Sequence, residues 1–269
     1  MKKYLSLFLA LLTVLTVALT GCGVKKGETP ATQAQTTTDS GFAQTDPATT
    51  AADLTQATET TATDAATTAA PGSRKLGQAP EGYFEETLFI GDSRTEDLLN
   101  YNALTTPMIF SRVSTSLYNL HSDPAPVNHG VGEIDFVDLI NNYKFKHIYI
   151  MLGFNEIGYA RQQTVNKFEA LLEEVRAAQP DADIIIQANL HVTPAYAARH
   201  PDESNEEIDD FNSKIAQFAD GEKIFYIDMN ELFDDADGAL DTQYTGDGVH
   251  LTPSATKTWA EWLATKAVV

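Results

Sequence analysis

Short apolar runs alternate with segments of helical period over the last two-thirds of the chain. Leu88-Phe89-Ile90, Met108-Ile109-Phe110, the run from His147 to Leu152, Ile184-Ile185-Ile186 and Ile224-Phe225-Tyr226-Ile227 are each of strand length. A strand wetted on one face alternates apolar and polar side chains. Nearly unbroken runs therefore predict strands buried on both faces, as in a parallel sheet. Between them, Phe168, Leu171, Leu172 and Val175 recur at i, i+3, i+4 and i+7, with Pro180 just beyond. Ser204-Asn205-Glu206-Glu207 has the capping-box pattern ahead of an apolar stripe of Ile208, Phe211, Ile215 and Phe218. Thr252 and Pro253 fit the cap and first position of a last helix carrying Trp259, Trp262 and Leu263. Strand alternating with helix predicts right-handed crossovers and a three-layer α/β/α sandwich on a five-stranded parallel sheet.

This texture begins at about Pro80, and residues 80–269 read as one domain. Upstream, residues 29–70 hold 15 Thr and 12 Ala among 42, and Phe42 and Leu54 are the only large apolar side chains. So little apolar surface cannot offset the entropy of ordering the backbone, so residues 22–79 are expected to be a disordered tether. As a flexible coil it would span about 40 Å root-mean-square. A spacer role and a low-complexity stretch with no length requirement both fit this composition.

The first residues carry a different signal. Lys2 and Lys3 precede an apolar run from Tyr4 to Ala18, and Leu19-Thr20-Gly21-Cys22 follows. A positive start and a short apolar core mark a secretion signal, here residues 1–21. The last four residues resemble the bacterial lipobox, in which the cysteine is lipidated and opens the mature chain. The apolar run is short for a span of about 20 residues. Two acyl chains on Cys22 would anchor the protein stably where one would be marginal. An extracytoplasmic, membrane-anchored protein is the expectation.

Charge narrows the partners. Lys plus Arg number 18 against 38 Asp plus Glu, a net charge of −20. Such an excess repels phosphate backbones and anionic lipid, which excludes nucleic acid as an expected partner. Cys22 is the only cysteine, so neither an intramolecular disulfide nor a cysteine-based metal cluster can form. The histidines show no metal-site spacing, and no cofactor is expected.

In an open parallel sheet, ligands bind beyond the carboxyl ends of the strands. Gly91-Asp92-Ser93-Arg94-Thr95 follows the first predicted strand, and Gly153-Phe154-Asn155-Glu156 follows the third. Asp247-Gly248-Val249-His250 lies shortly before the last helix. A serine hydroxyl needs a base to take its proton, and His250 can act as one. Asp247, three residues earlier, can hold the other ring nitrogen and fix the tautomer. The Asn155 amide can donate to a developing oxyanion. Each motif alone reads as an ordinary turn or helix start. Together, at sheet ends and in this chain order, they define a candidate serine-hydrolase site.

These segments resemble the blocks of the SGNH (GDSL) hydrolase family. FIGDS matches the block of the nucleophile, Ser93; GFNE resembles the block containing Asn155; and DGVH matches the block with Asp247 and His250. The resemblance implies a five-stranded parallel sheet in flavodoxin-like order. Two departures stand out: Glu156 occupies a position that is usually Asp in the family, and no glycine follows the second strand to supply an oxyanion N–H. Ser114, in Arg112-Val113-Ser114-Thr115, is the best match for that donor, although an ordinary loop serine fits equally; Gly130 and Gly132 lie further along.

The expected activity is hydrolysis of O-acyl esters, acetyl above all, on carbohydrate or cell-wall polymers. A lipid esterase or lysophospholipase, an O-acyltransferase and a catalytically weak carbohydrate-binding module are the alternatives. Arg94 reads as a salt-bridge partner ahead of a contact to a substrate oxygen, His191 as a candidate pocket wall, Tyr159 and Tyr196 as core or rim packing ahead of pocket walls, and Asp228 as a weaker rival to Asp247.

Overall fold

The computed structural model describes residues 74–269; the predicted leader, Cys22 and the tether up to residue 73 lie outside them. Among the described residues nine strands occur in chain order: β1 (Leu76–Gly77), β2 (Thr87–Gly91), β3 (Met108–Ser111), β4 (Ala125–Val127), β5 (Gly132–Ile134), β6 (His147–Met151), β7 (Asp183–Gln187), β8 (Ile224–Ile227) and β9 (Ala267–Val268). The helices are α1 (Ser93–Asn100), α2 (Phe136–Asn142), α3 (Arg161–Ala178), α4 (Pro194–Ala197), α5 (Asn205–Ile215), α6 (Asn230–Phe233) and α7 (Pro253–Leu263).

The main sheet runs β5-β4-β3-β2-β6-β7-β8. All five strands expected from the apolar runs are present and parallel, in the order β3-β2-β6-β7-β8. This is the flavodoxin-like order. Its direction reverses between β2 and β6, and a crevice opens at such a switch point. The sheet nonetheless has seven strands rather than five: β4 and β5 add an antiparallel edge. They carried no apolar run because β4 contains Pro126 and all of β5 is at least partly exposed.

The side-chain period of two divides the core. Leu88, Ile90, Ile148, Ile150, Ile184 and Ile186 face one side, where Phe136 of α2, Phe168 of α3 and Phe211 of α5 cover them. Phe89, Tyr149, Ile185 and Phe225 face the other, against Leu98 of α1 and Trp259 of α7. β2 is buried at all five positions, which is why its sequence never alternates. Each large apolar side chain so enclosed contributes about 1.5–3 kcal/mol. Ser204 caps α5, accepting the Glu207 N–H, but the Glu207 carboxylate pairs with Arg161 instead of closing a capping box.

Pairing reaches back beyond Pro80, since β1 forms a two-stranded antiparallel sheet with β9. This corner lies at the amino ends of the main strands. Arg74 pairs with Asp183 at the start of β7, and the Tyr83 ring stacks on His147 at the start of β6, 3.9 Å between centroids.

Candidate active site

Three loops meet at the opposite, carboxyl edge. The Asp92 carboxylate accepts the Arg94 N–H at 2.9 Å, so α1 begins at Ser93 directly after β2. Backbone N–H groups in a first helical turn have no intrahelical acceptor, which leaves the Ser93 N–H free for an anion. Gly91 has no left-handed backbone. It is required for close packing instead, because a Cβ there would lie 1.9 Å from Thr95 Oγ1.

The second loop brings in the imidazole. His250 Nε2 lies 2.9 Å from Ser93 Oγ, and His250 Nδ1 lies 2.8 Å from Asp247 Oδ2. The other Asp247 oxygen accepts the N–H groups of Val249 and His250, both at 2.9 Å. One carboxylate thus folds its own loop and orients the ring. Partial burial works against its charge, but the His250 and Val249 N–H groups and the imidazole outweigh this and hold its pKa at about 2. The Gly248 carbonyl accepts the Thr193 N–H at 3.0 Å and ties the loop to the segment after β7.

The third element is a 3-10 turn, Phe154–Glu156, that follows β6. It opens at Gly153, whose φ is +123° and whose Cβ would lie 2.2 Å from the Phe211 ring. Asn155 Nδ2 donates to the Thr115 carbonyl at 2.8 Å, which leaves its second amide hydrogen uncommitted. The buried Glu156 accepts the Leu117 N–H at 2.7 Å. These two consecutive side chains pin the loop after β3. Within it Ser114 has φ +65°, left-handed backbone that favours glycine. Asn119 braces that conformation, donating to the Ser114 carbonyl at 3.0 Å and accepting the Ser116 N–H at 2.8 Å.

A cavity of about 280 Å³ joins these parts. Ser93, Ser114, Asn155, Asp247 and His250 all line it, so every catalytic candidate named from sequence meets at one place. Phe154, Tyr196 and Val249 supply apolar wall, and Val113 stands at the edge.

Other expectations resolve differently. His191 does not line the cavity; it is buried between Asp234 and Asp209, 2.9 Å from each. Asp228 is exposed and accepts the Asn230 N–H, leaving Asp247 as the partner of His250. Tyr159 is exposed outside the cavity, whereas Tyr196 is part of its wall. Arg94 is buried, 3.6 Å from Asp92, with Nη1 donating to the Leu190 carbonyl and its guanidinium 4.0 Å from the Phe154 ring centroid. Gly130 and Gly132 belong to the β4–β5 turn region, away from the cavity lining. Among the described residues no cluster of His, Cys, Asp and Glu is arranged to hold a metal ion. The bracing by Asn119 carried no sequence signal, whereas Glu156 plays the structural part that the family resemblance implies for the acid beside Asn155.

A serine linked through an imidazole to a carboxylate, at the sheet ends of a flavodoxin-like α/β/α frame, defines a hydrolase of carboxylic esters. The chain belongs to the GDSL-like lipase/acylhydrolase family, whose profile matches residues 89–257. Among solved structures it is similar to one from Streptococcus pneumonia described as a candidate platelet activating factor, with 20% identity and a TM-score of 0.52 over 66% of this chain and 81% of that one. A candidate acylhydrolase from Bacteroides fragilis is 16% identical, with a TM-score of 0.51 over 70% of this chain and 88% of that one. A GDSL-like lipase from Bacteroides thetaiotaomicron is 18% identical, with a TM-score of 0.48 over 68% and 91%. At these identities the first two likenesses show a shared fold. A search of curated proteins finds no matching sequence.

Proposed function

We propose that this acylhydrolase is an extracytoplasmic serine esterase that removes short O-acyl groups, acetyl above all, from carbohydrate such as cell-wall polymers. The observation that carries the catalytic part is the 2.9 Å contact between Ser93 Oγ and His250 Nε2, continued to Asp247. In this reading Ser93 Oγ attacks the ester carbonyl carbon as His250 takes the hydroxyl proton. The resulting oxyanion is held by the Ser93 and Ser114 N–H groups and the Asn155 amide. His250 then passes its proton to the leaving alcohol as the C–O bond breaks, which leaves an acyl-Ser93 ester. A water deprotonated by His250 attacks that ester, and the acid departs with Ser93 restored.

The cavity supports a short acyl group. Its roughly 280 Å³ falls at the small end for ligand sites, with apolar wall from Phe154, Tyr196 and Val249 for a short chain. The lipobox-like Leu19-Thr20-Gly21-Cys22 supports a location outside the cytoplasm, where acylated wall sugars would be in reach.

The test compares p-nitrophenyl acetate with the octanoate in the wild type and Ser93→Ala. Acetate should be preferred, and the variant should lose at least about 10³-fold in kcat while staying folded. Retained turnover in Ser93→Ala would refute the nucleophile, and a clear preference for octanoate would move the substrate to lipid.

A further inference from the structure

We propose that Tyr118 and Tyr159 form a sugar-binding subsite on the rim of the Ser93 cavity, stacking on a pyranose ring of the alcohol part of the ester. This rests on the esterase reading above and specifies its substrate side.

The first observation is where apolar surface is left in water. Five large apolar side chains are exposed among the described residues: Val113, Tyr118, Val137, Tyr159 and Val269. Three of them, Val113, Tyr118 and Tyr159, stand on the two loops that carry Ser114 and Asn155. Tyr159 is 59% exposed and Tyr118 37%, so the two adjacent rings leave apolar surface in water side by side. Tyr118 follows Ser114, and Tyr159 follows Asn155, by four residues each, so neither lies beyond roughly 14 Å of extended chain from its site residue. A glycan whose alcohol side extends from the cavity over these two loops would meet both.

The second observation is that the pair is built and held. The rings meet edge-to-face at 5.3 Å between centroids and 67°. The Tyr159 N–H donates to the Glu156 carbonyl at 2.9 Å. The Tyr118 N–H lies 3.3 Å from Ser116 Oγ, its hydroxyl lies 3.4 Å from Thr164 Oγ1, and Lys167 Nζ sits 4.6 Å from its ring centroid. The Glu156 contact to Leu117 N fixes the backbone next to Tyr118. Rings positioned before binding lose little freedom when a ligand arrives, so their contact area becomes affinity.

Chemistry selects the occupant. Two rings forming an open corner cover one side of a ligand. An acyl chain gains fully only when enclosed, at about 0.8 kcal/mol per buried CH₂. A pyranose instead has a flat C–H face for the ring and hydroxyls around its edge. Tyr159 Oη and the exposed Lys167 Nζ offer those hydroxyls hydrogen-bond partners. A net charge of −20 disfavours polyanions, which leaves a neutral glycan.

The experiment measures kcat/KM on O-acetylated xylo-oligosaccharide and on p-nitrophenyl acetate, and takes their ratio. In Tyr118→Ala/Tyr159→Ala the ratio should fall about tenfold, chiefly through KM on the oligosaccharide. Val137→Ser, which alters an exposed apolar residue on α2 instead of these loops, should leave the ratio unchanged. A ratio unmoved in the tyrosine double variant overturns the subsite, as does a loss confined to the octanoyl ester, which would assign the rings to an acyl chain. Calorimetric binding of the oligosaccharide to the Ser93→Ala protein separates the two readings. Binding should be lost on adding the tyrosine changes, binding retained in that protein overturns the subsite, and hydrolysis surviving Ser93→Ala defeats only the catalytic assignment.

Discussion

Asp247 performs two tasks with one carboxylate, and the two can be separated by substitution. One oxygen gathers the N–H groups of Val249 and His250, and the other holds Nδ1 of the ring. Asp247→Asn keeps the shape but offers an amide where the ring must donate, which favours the wrong tautomer. It should lower kcat by about 10³–10⁴-fold with a far-ultraviolet circular dichroism spectrum like that of the wild type. Asn155→Ala removes an oxyanion donor and should cost about 10²–10³-fold in kcat, with KM for p-nitrophenyl acetate little changed. Glu156 is a different case. Burial raises its pKa from 4.5 to about 7 against the opposing Leu117 N–H, and Oε2 has no partner. A pKa raised on folding contributes stability that is fully present below about 4.5 and is lost as pH rises through about 7. Denaturation midpoints from pH 4 to 8 should therefore fall more in the wild type than in Glu156→Gln, and parallel curves would contradict the assignment.

At the scale of elements, the site depends on how closely loops approach. Gly153→Ala forces a Cβ into the Phe211 ring at a φ of +123°, and should destabilise the fold by about 2–4 kcal/mol in urea titration. His191 joins three elements: the segment after β7, Asp209 on α5 and Asp234 at the end of α6. Burial alone would lower its pKa, but the hydrogen bonds and charges of Asp234 and Asp209 outweigh that and hold it above 6.5. Its contribution is present below the ordinary value and lost as pH rises through the raised one. The melting-temperature gap between wild type and His191→Gln should thus be wide at pH 6 and narrow by pH 9.

These elements also show what the sequence discloses. β2, β6 and β7 were legible because burial on both faces removes polar residues from a strand. β4 and β5 were not, because short, part-exposed edge strands carry no such run. Ser93, Asn155, Asp247 and His250 were legible as motifs at strand ends. The clasp on His191 was not, since its two carboxylates lie 18 and 43 residues away and meet it only through tertiary packing.

At the scale of the whole molecule, charge and attachment set the working environment. In the proposed location, Cys22→Ser should shift esterase activity from the membrane pellet to the soluble fraction without changing its specific value. The β1–β9 corner adds a directional consequence. Arg74 enters the domain beside Asp183 at the start of β7, and the last strand leaves from the same corner. The catalytic mouth opens past the far ends of those strands. Both ends of the folded unit therefore hang from its floor, so a surface or fusion partner joined at either one would leave the entrance facing outward, unobstructed to a bulky polymer.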